Sequence, residues 1–386
     1  MTRDMRVQGT VAEGYEAVRE EFTAVLTGEL PEYEGQLAAY VRGRKVVDLW
    51  VGPDVTGESL YGVFSSTKGA AHLVVALLVQ DGVLDLDKPV AHYWPEFAAA
   101  GKGAVTLREL LAHRAGLAGA ASGLMPDEVA DDRAIAARLA AQRPFWRPGA
   151  AFGYHALTVG ALSGEVVLRA TGRTIQELYE ERVRAPYGLD FHLGLPEEHE
   201  GRFRSVQPMA PTPGQAALLA AEPPEPQSLH SIAFNRHAAR PTDVQALPNS
   251  RAVRAKGPAS VGGVASARGL AALYAAAVTG VDGRDALLTP DTVAEFGQVQ
   301  SVGHDLVLRA FRVFAVGFQA TAGAVYPFLG AGTIGHSGVG GSQAFADPRG
   351  GLAYGYTRRR FPFPGGPAAE NERLVRAVHE AALAAG

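Results

Sequence analysis

Hydrophobic positions along this chain follow two rhythms, and each predicts its own kind of element. Near the N-terminus Val11, Tyr15, Val18, Phe22 and Val25 recur at helical spacing, and Thr10 followed by Glu13 has the spacing of a capping box. That pattern predicts an amphipathic helix starting at Thr10. QLAAYV and KVVDLWVG come next, two β-rich runs joined by Arg42, Gly43 and Arg44, and they predict a hairpin. The same signature returns late in the chain, where SQAFADPRGGLAYGYT sets the turn residues Asp347, Pro348, Gly350 and Gly351 between two strand-like runs. Between these ends, residues 66–80, 106–113, 129–142, 157–171, 174–184 and 266–279 are rich in Ala and Leu and read as helices, with Gly82 and Gly172 as terminators.

Strands at both ends around a helical middle predict an α+β fold. The expected division places residues 1–95 and 265–386 in one α/β domain built from both chain ends, and 96–264 in a mainly helical domain with long loops. The stretch from Pro196 to Pro258 has weak periodicity and reads as long surface excursions.

Composition changes this picture mainly by exclusion. With 36 basic and 40 acidic residues the net charge is -4, too weak a field to gather nucleic acid or an anionic membrane. No cysteine is present, so thiol nucleophiles, disulfides and thiolate metal sites are ruled out. Charges interrupt the first twenty residues, and the longest apolar run, Leu73 to Val79, is far short of a membrane span. A cytoplasmic location is expected. No metal or cofactor motif stands out: His379 and Glu380 begin a His-Glu-x-x-His pattern that Leu383 ends, and GVGGS lacks the strand–helix context of a nucleotide loop. Nor is there a Gly-x-Ser-x-Gly elbow.

The informative segment is YGVFSSTKGAAHLVVALLVQDG. A helix starting near Ser65 puts Ser65 and Lys68 three residues apart on one face, within mutual reach, while Ser66 points elsewhere. The helix that follows is apolar almost all round, which predicts burial and a poorly hydrated Lys68. Burial favours the neutral amine, and a neutral amine can take a serine proton. Serine is common enough for Ser-x-x-Lys to arise by chance, so the surrounding text carries the weight.

That text resembles the serine β-lactamase and penicillin-binding-protein superfamily, most closely the family VIII carboxylesterases related to class C β-lactamases. The resemblance runs from about Glu13 to His379 and rests on Ser65-x-x-Lys68, DGVLDLDKPVAHYWPEF, TLRELLAHRAGL and RATGRTIQELYEERVRAPYGLDFHLGLP. It implies a β-lactamase/transpeptidase-like fold, an antiparallel sheet flanked by helices plus an all-helical domain. It also implies that Tyr154 stands at the start of the second motif, acting with the lysine in proton transfer. There the family's Tyr-x-Asn has become Tyr154-His155-Ala156, and loss of the carboxamide shifts the expected substrate from amides towards esters. The third motif corresponds to His336, Ser337 and Gly338, expected to bind substrate, and the oxyanion hole falls to the backbone N–H groups of Ser65 and Val339. The expected partner is a small-molecule acyl substrate, with no nucleic acid, no membrane and no cofactor. Ester hydrolysis through an acyl-enzyme is the leading expectation. Acyl transfer or peptide cyclisation on the same serine, β-lactam or D-amino-acid peptide cleavage, and a non-catalytic binding protein are the alternatives.

Overall fold

The computed structural model describes residues 6–27, 33–221 and 225–385. The N-terminal pattern resolves into two elements rather than one. Thr10 lies in an edge strand, β1 (Gln8–Val11), opposite Asp48, and helix α1 begins only at Glu16 and runs to Thr27. Ladder pairing keeps Thr10 extended, so the expected capping box does not form. The periodicity was sound beyond it, for Tyr15, Val18, Phe22 and Val25 are all buried.

Arg42 and Gly43 both take left-handed backbone, at φ 50° and 78°. Two such residues make a hairpin turn whose twist matches its strands, and here they join β2 (Gly35–Val41) to β3 (Arg44–Val51). The remaining strands of this sheet are β4 (Ser301–His304), β5 (Phe311–Phe314), β6 (Gln319–Ala320), β7 (Ile334–Ser337), β8 (Gln343–Asp347) and β9 (Leu352–Arg358). Their order across the sheet is β1-β3-β2-β9-β8-β7-β6-β5-β4, with every pairing antiparallel. The two ends of the chain meet where β2 pairs with β9, from Gly35 opposite Arg358 to Val41 opposite Leu352.

The main helices after α1 are α2 (Thr67–Gln80), α3 (Asp132–Ala140), α4 (Val159–Thr171), α5 (Pro213–Ala221), α6 (Ala267–Val278) and α7 (Asn371–Ala384). Period-two alternation sends Leu37 and Ala39 of β2 to one face of the sheet, into a core with Phe22 of α1 and Leu374, Val375 and Val378 of α7. Ala38 and Tyr40 point to the other face, where α2 and α6 pack. Ala38, Ala344, Ala346 and Ala353 keep that second face low, which lets α6 approach it closely. Covered on all sides, α2 is buried from Thr67 to Leu78, and this explains its unbroken apolar sequence.

Several helix ends follow the sequence signals. Thr106 and Glu109 form a capping box before Leu107–Leu111, as do Thr174 and Glu177 before Ile175–Tyr179, and Gly172 closes α4 at φ 74°. Residues 180–184 continue as a wider helical turn. Among the described residues of 196–258 the helices are short, including α5, Leu229–Ala233 and Arg251–Lys256. Among the described residues no helix is long and apolar enough to cross a membrane.

Candidate active site

A small three-stranded sheet sets up the start of α2. Tyr61–Gly62 pairs with Val264–Ala265, which pairs with Phe191–His192. The chain then bends at Phe64, whose φ of 48° costs an L-residue roughly 1–2 kcal/mol. Two contacts hold it there: the Phe64 ring meets Phe361 edge-on at 5.7 Å, and Thr67 Oγ1 donates to the Phe64 carbonyl. The bend delivers Ser65 to the mouth of α2 with its side chain largely buried.

Three residues on, Lys68 is completely buried. Its Nζ lies 3.2 Å from Ser65 Oγ, 2.8 Å from the Ala156 carbonyl and 2.9 Å from the Ser260 carbonyl. Each carbonyl can only accept, so two of the amine's positions are committed as donors. The third faces the serine hydroxyl. Burial holds the Lys68 pKa well below the ordinary lysine value, opposed in part by attraction to Asp132. Once the amine loses its proton, the position aimed at Ser65 Oγ is free to carry its lone pair.

Tyr154 closes the triangle. Its hydroxyl hydrogen-bonds Ser65, and Lys68 Nζ sits 4.9 Å from the ring centroid. Burial pushes the phenol pKa up and outweighs the opposing pull of the Ser65 hydrogen bond, so the group carries its proton. The ring is clamped by Phe314, stacked at 5.9 Å, and by His113, edge-on at 5.0 Å. Its backbone N–H donates to Asp305 Oδ1 at 3.2 Å, an oxygen that also accepts from Val307 and Leu308 N–H.

Strand β7 supplies His336, buried, with its ring 6.0 Å from that of Tyr154. His336 Nδ1 lies 2.8 Å from the Ser337 carbonyl, which fixes the proton on Nδ1 and leaves Nε2 as a buried acceptor with no partner among the described residues. Burial, reinforced by Lys68, holds this imidazole well below its usual pKa. Ser66 does turn away, donating to the His336 carbonyl at 3.1 Å and meeting Ser342 Oγ at 2.9 Å, and so ties α2 to β7. Ser337 faces sideways to Gln319 Oε1 and is not drawn to the Ser65 hydroxyl. At Gly338 a Cβ would lie 2.3 Å from Ser342 Oγ and 2.4 Å from the Val63 carbonyl, so only glycine lets the strand come this close. Val339 packs with Phe64, Val206 and Phe361 beside the Ser65 turn.

Several contributors escape a reading of the sequence. The carbonyls of Ala156 and Ser260 leave no side-chain signal. Asp132, within the helical pattern of 129–142, gives no sign in the sequence of its role. Its Oδ2 accepts from Ala259 N–H and Gln176 Nε2, securing the loop that carries the Ser260 carbonyl, and burial pushes its carboxyl up to about 6. Among the described residues no three His, Asp or Glu are arranged to hold a metal ion.

A comparison with protein families decides where this arrangement belongs, because the β-lactamase family model matches residues 29–379. The chain is a member of the β-lactamase family. Within this family it is similar to the esterase/β-lactamase LipL of Mycobacterium tuberculosis, 31% identical over 356 residues that cover 86% of this chain and 78% of LipL. Among solved structures it is similar to EstA of Arthrobacter nitroguajacolicus, at 43% identity and a TM-score of 0.90 over 98% of this chain and 99% of EstA. A family VIII carboxylesterase is 31% identical, with a TM-score of 0.83 over 97% of this chain and all 100% of its own.

Proposed function

We propose that this β-lactamase-family protein is a serine hydrolase that cleaves carboxylic esters through an acyl-enzyme on Ser65. One observation carries the reading: the buried Lys68 amine, with two positions taken by the Ala156 and Ser260 carbonyls, directs its third at Ser65 Oγ from 3.2 Å. Ser65 Oγ attacks the acyl carbonyl as its proton passes to Lys68 Nζ. The backbone N–H groups of Ser65 and Val339 hold the oxyanion that develops, a contribution of about 3–4 kcal/mol per donor in comparable sites. Tyr154, whose phenol keeps its proton, delivers it to the departing alkoxide and is reprotonated from Lys68. Water then enters, gives up a proton by the reverse route and releases the acid. His336 Nε2, buried and without a partner among the described residues, is the acceptor that β7 holds for the substrate. The names of the esterase/β-lactamase LipL and of the family VIII carboxylesterase support esters as the substrate class.

Treatment with a fluorophosphonate tests this directly. A single adduct on the peptide containing Ser65 is expected by mass spectrometry, with Ser65→Ala unlabelled and its turnover of p-nitrophenyl esters reduced by about 10⁴-fold or more. An adduct at another serine, or undiminished turnover by Ser65→Ala, rules the reading out.

A further inference from the structure

Tyr154 has to keep its hydroxyl on Ser65, yet residues 151–155 belong to no helix or strand. With no ladder or helical turn to pair them, the buried backbone N–H groups there must find acceptors elsewhere, since an unpaired one is costly. Three in succession do. Gly153 N–H donates to the His113 carbonyl at 3.1 Å, Tyr154 N–H to Asp305 Oδ1 at 3.2 Å, and His155 N–H to His113 Nδ1 at 3.1 Å. The residues on either side of the tyrosine are therefore both tied to His113.

His113 reaches this place by an uncommon backbone. It follows the helix Leu107–Leu111 by two residues, donates its N–H to the Leu110 carbonyl at 3.1 Å and takes left-handed backbone at φ 62°. L-residues seldom adopt that conformation, and where they do it is held by the surroundings and is concentrated at functional sites. Here the surroundings are rings: the buried imidazole meets Tyr154 at 5.0 Å, Phe314 at 4.5 Å and His155 at 5.5 Å. Because Nδ1 accepts an N–H, this imidazole is neutral with its proton on Nε2. His155 has the complementary tautomer. Its Nε2 accepts from Leu117 N–H at 3.0 Å, so Nδ1 carries the proton and donates to the Gly153 carbonyl at 2.6 Å. The segment is thus fixed through its backbone, and the phenol is left free for Ser65.

We infer that His113 is a positioning residue for the reaction: its Nδ1 and carbonyl hold the chain on both sides of Tyr154, and so hold the phenol where it can pass its proton to the leaving group. The inference rests on the ester-hydrolase reading and adds to it the residue that sets the general acid in place. Misplacement of such a group by about 1 Å costs on the order of 10²-fold in rate.

The test is a double-mutant cycle with phenyl butyrate, an ester whose phenolate leaves as a base and needs a proton. His113→Phe keeps a ring against Tyr154 and Phe314 but removes the Nδ1 acceptor, whereas His113→Asn offers Oδ1, as many bonds from the backbone as Nδ1. Rates are expressed per Ser65 labelled by a fluorophosphonate, so molecules that fail to fold drop out. His113→Phe is expected to lower kcat by about 10–100-fold with KM changed by no more than about twofold, and His113→Asn to recover most of the loss. In a Tyr154→Phe background, His113→Phe is expected to lower kcat by no more than about twofold, because the group it places is already gone. An equal loss in both backgrounds, the mark of a purely structural role, overturns the inference; so does undiminished kcat in His113→Phe, or a loss in His113→Asn beyond about tenfold. Each of these leaves ester hydrolysis standing. Wild-type protein that neither turns over phenyl butyrate nor gives a fluorophosphonate adduct at Ser65 removes both readings.

Discussion

At Lys68 a single buried amine is balanced between two influences. Loss of hydration drives the proton off, and Asp132 draws it back. Replacing Asp132 by Asn keeps an oxygen for the Ala259 N–H but removes the attraction. The protonated amine is then less favoured, so the acid limb of the kcat/KM profile is expected to move to lower pH in Asp132→Asn; a limb that stays in place or moves up contradicts the role given to Lys68. Tyr154→Phe is expected to keep the fold, since Phe314 and His113 clamp the ring rather than the hydroxyl, and to lower kcat by about 10²–10⁴-fold. The sequence pointed to Ser65 and Lys68 by their spacing and to Tyr154 and His336 through the family resemblance, and the structure brings these side chains together. The Ala156 and Ser260 carbonyls were not legible there, since every residue has one and only the folded path decides where it points. Ala156 illustrates this well: as a letter it marks a missing carboxamide, and as a backbone group it holds the lysine.

Elements were legible to the degree that local signals agreed with their surroundings. The Arg42–Gly43 turn and the Gly172 terminator each act within a few residues and appear where the sequence put them, and the helices expected from 106 and from 174 start on caps at Thr106 and Thr174. Thr10 shows the opposite case, a local cap signal overridden by pairing with a strand nearly forty residues away. Strands β4 to β6 were invisible for a related reason: they are short, and their partners rather than their patterns define them. Helix α6 carries a feature open to test at this scale. Tyr274 is buried, its hydroxyl has no partner among the described residues, and burial pushes its pKa up. Tyr274→Phe keeps the ring contacts and removes an uncompensated polar group, so a gain of about 1 kcal/mol is expected from the urea midpoint. A loss of stability contradicts this account of α6.

Across the whole molecule, four buried histidines have pKa values depressed by burial. His72 and His155 are brought down to about 4, and His113 and His336 lie well below the usual 6.5. In the unfolded chain each binds its proton near 6.5, so between that pH and about 4 the unfolded state takes up more protons than the folded one. Stability present above pH 6.5 is lost as pH falls through this window, by about 1.4 kcal/mol per histidine for each pH unit crossed. Asp132 and Asp305 oppose this, because burial raises both carboxyls and each favours the folded state as pH falls. Four histidines outweigh two carboxylates, and the denaturant midpoint is expected to drop from pH 6.5 to 4.5. A flat profile contradicts neutral burial of the four.

The seam between β2 and β9 has a consequence for how the molecule comes into being. A ribosome emits Ser65 and Lys68 early, yet β7 and β9, against which their surroundings close, emerge only after more than two hundred further residues. Until then α2 lacks one of the surfaces that keep its lysine dry, and an amine in contact with water holds its proton. With Ser65 in the role proposed for it, the nascent chain carries its nucleophile in an unarmed form, and reactivity arrives with the closing stitch of the sheet.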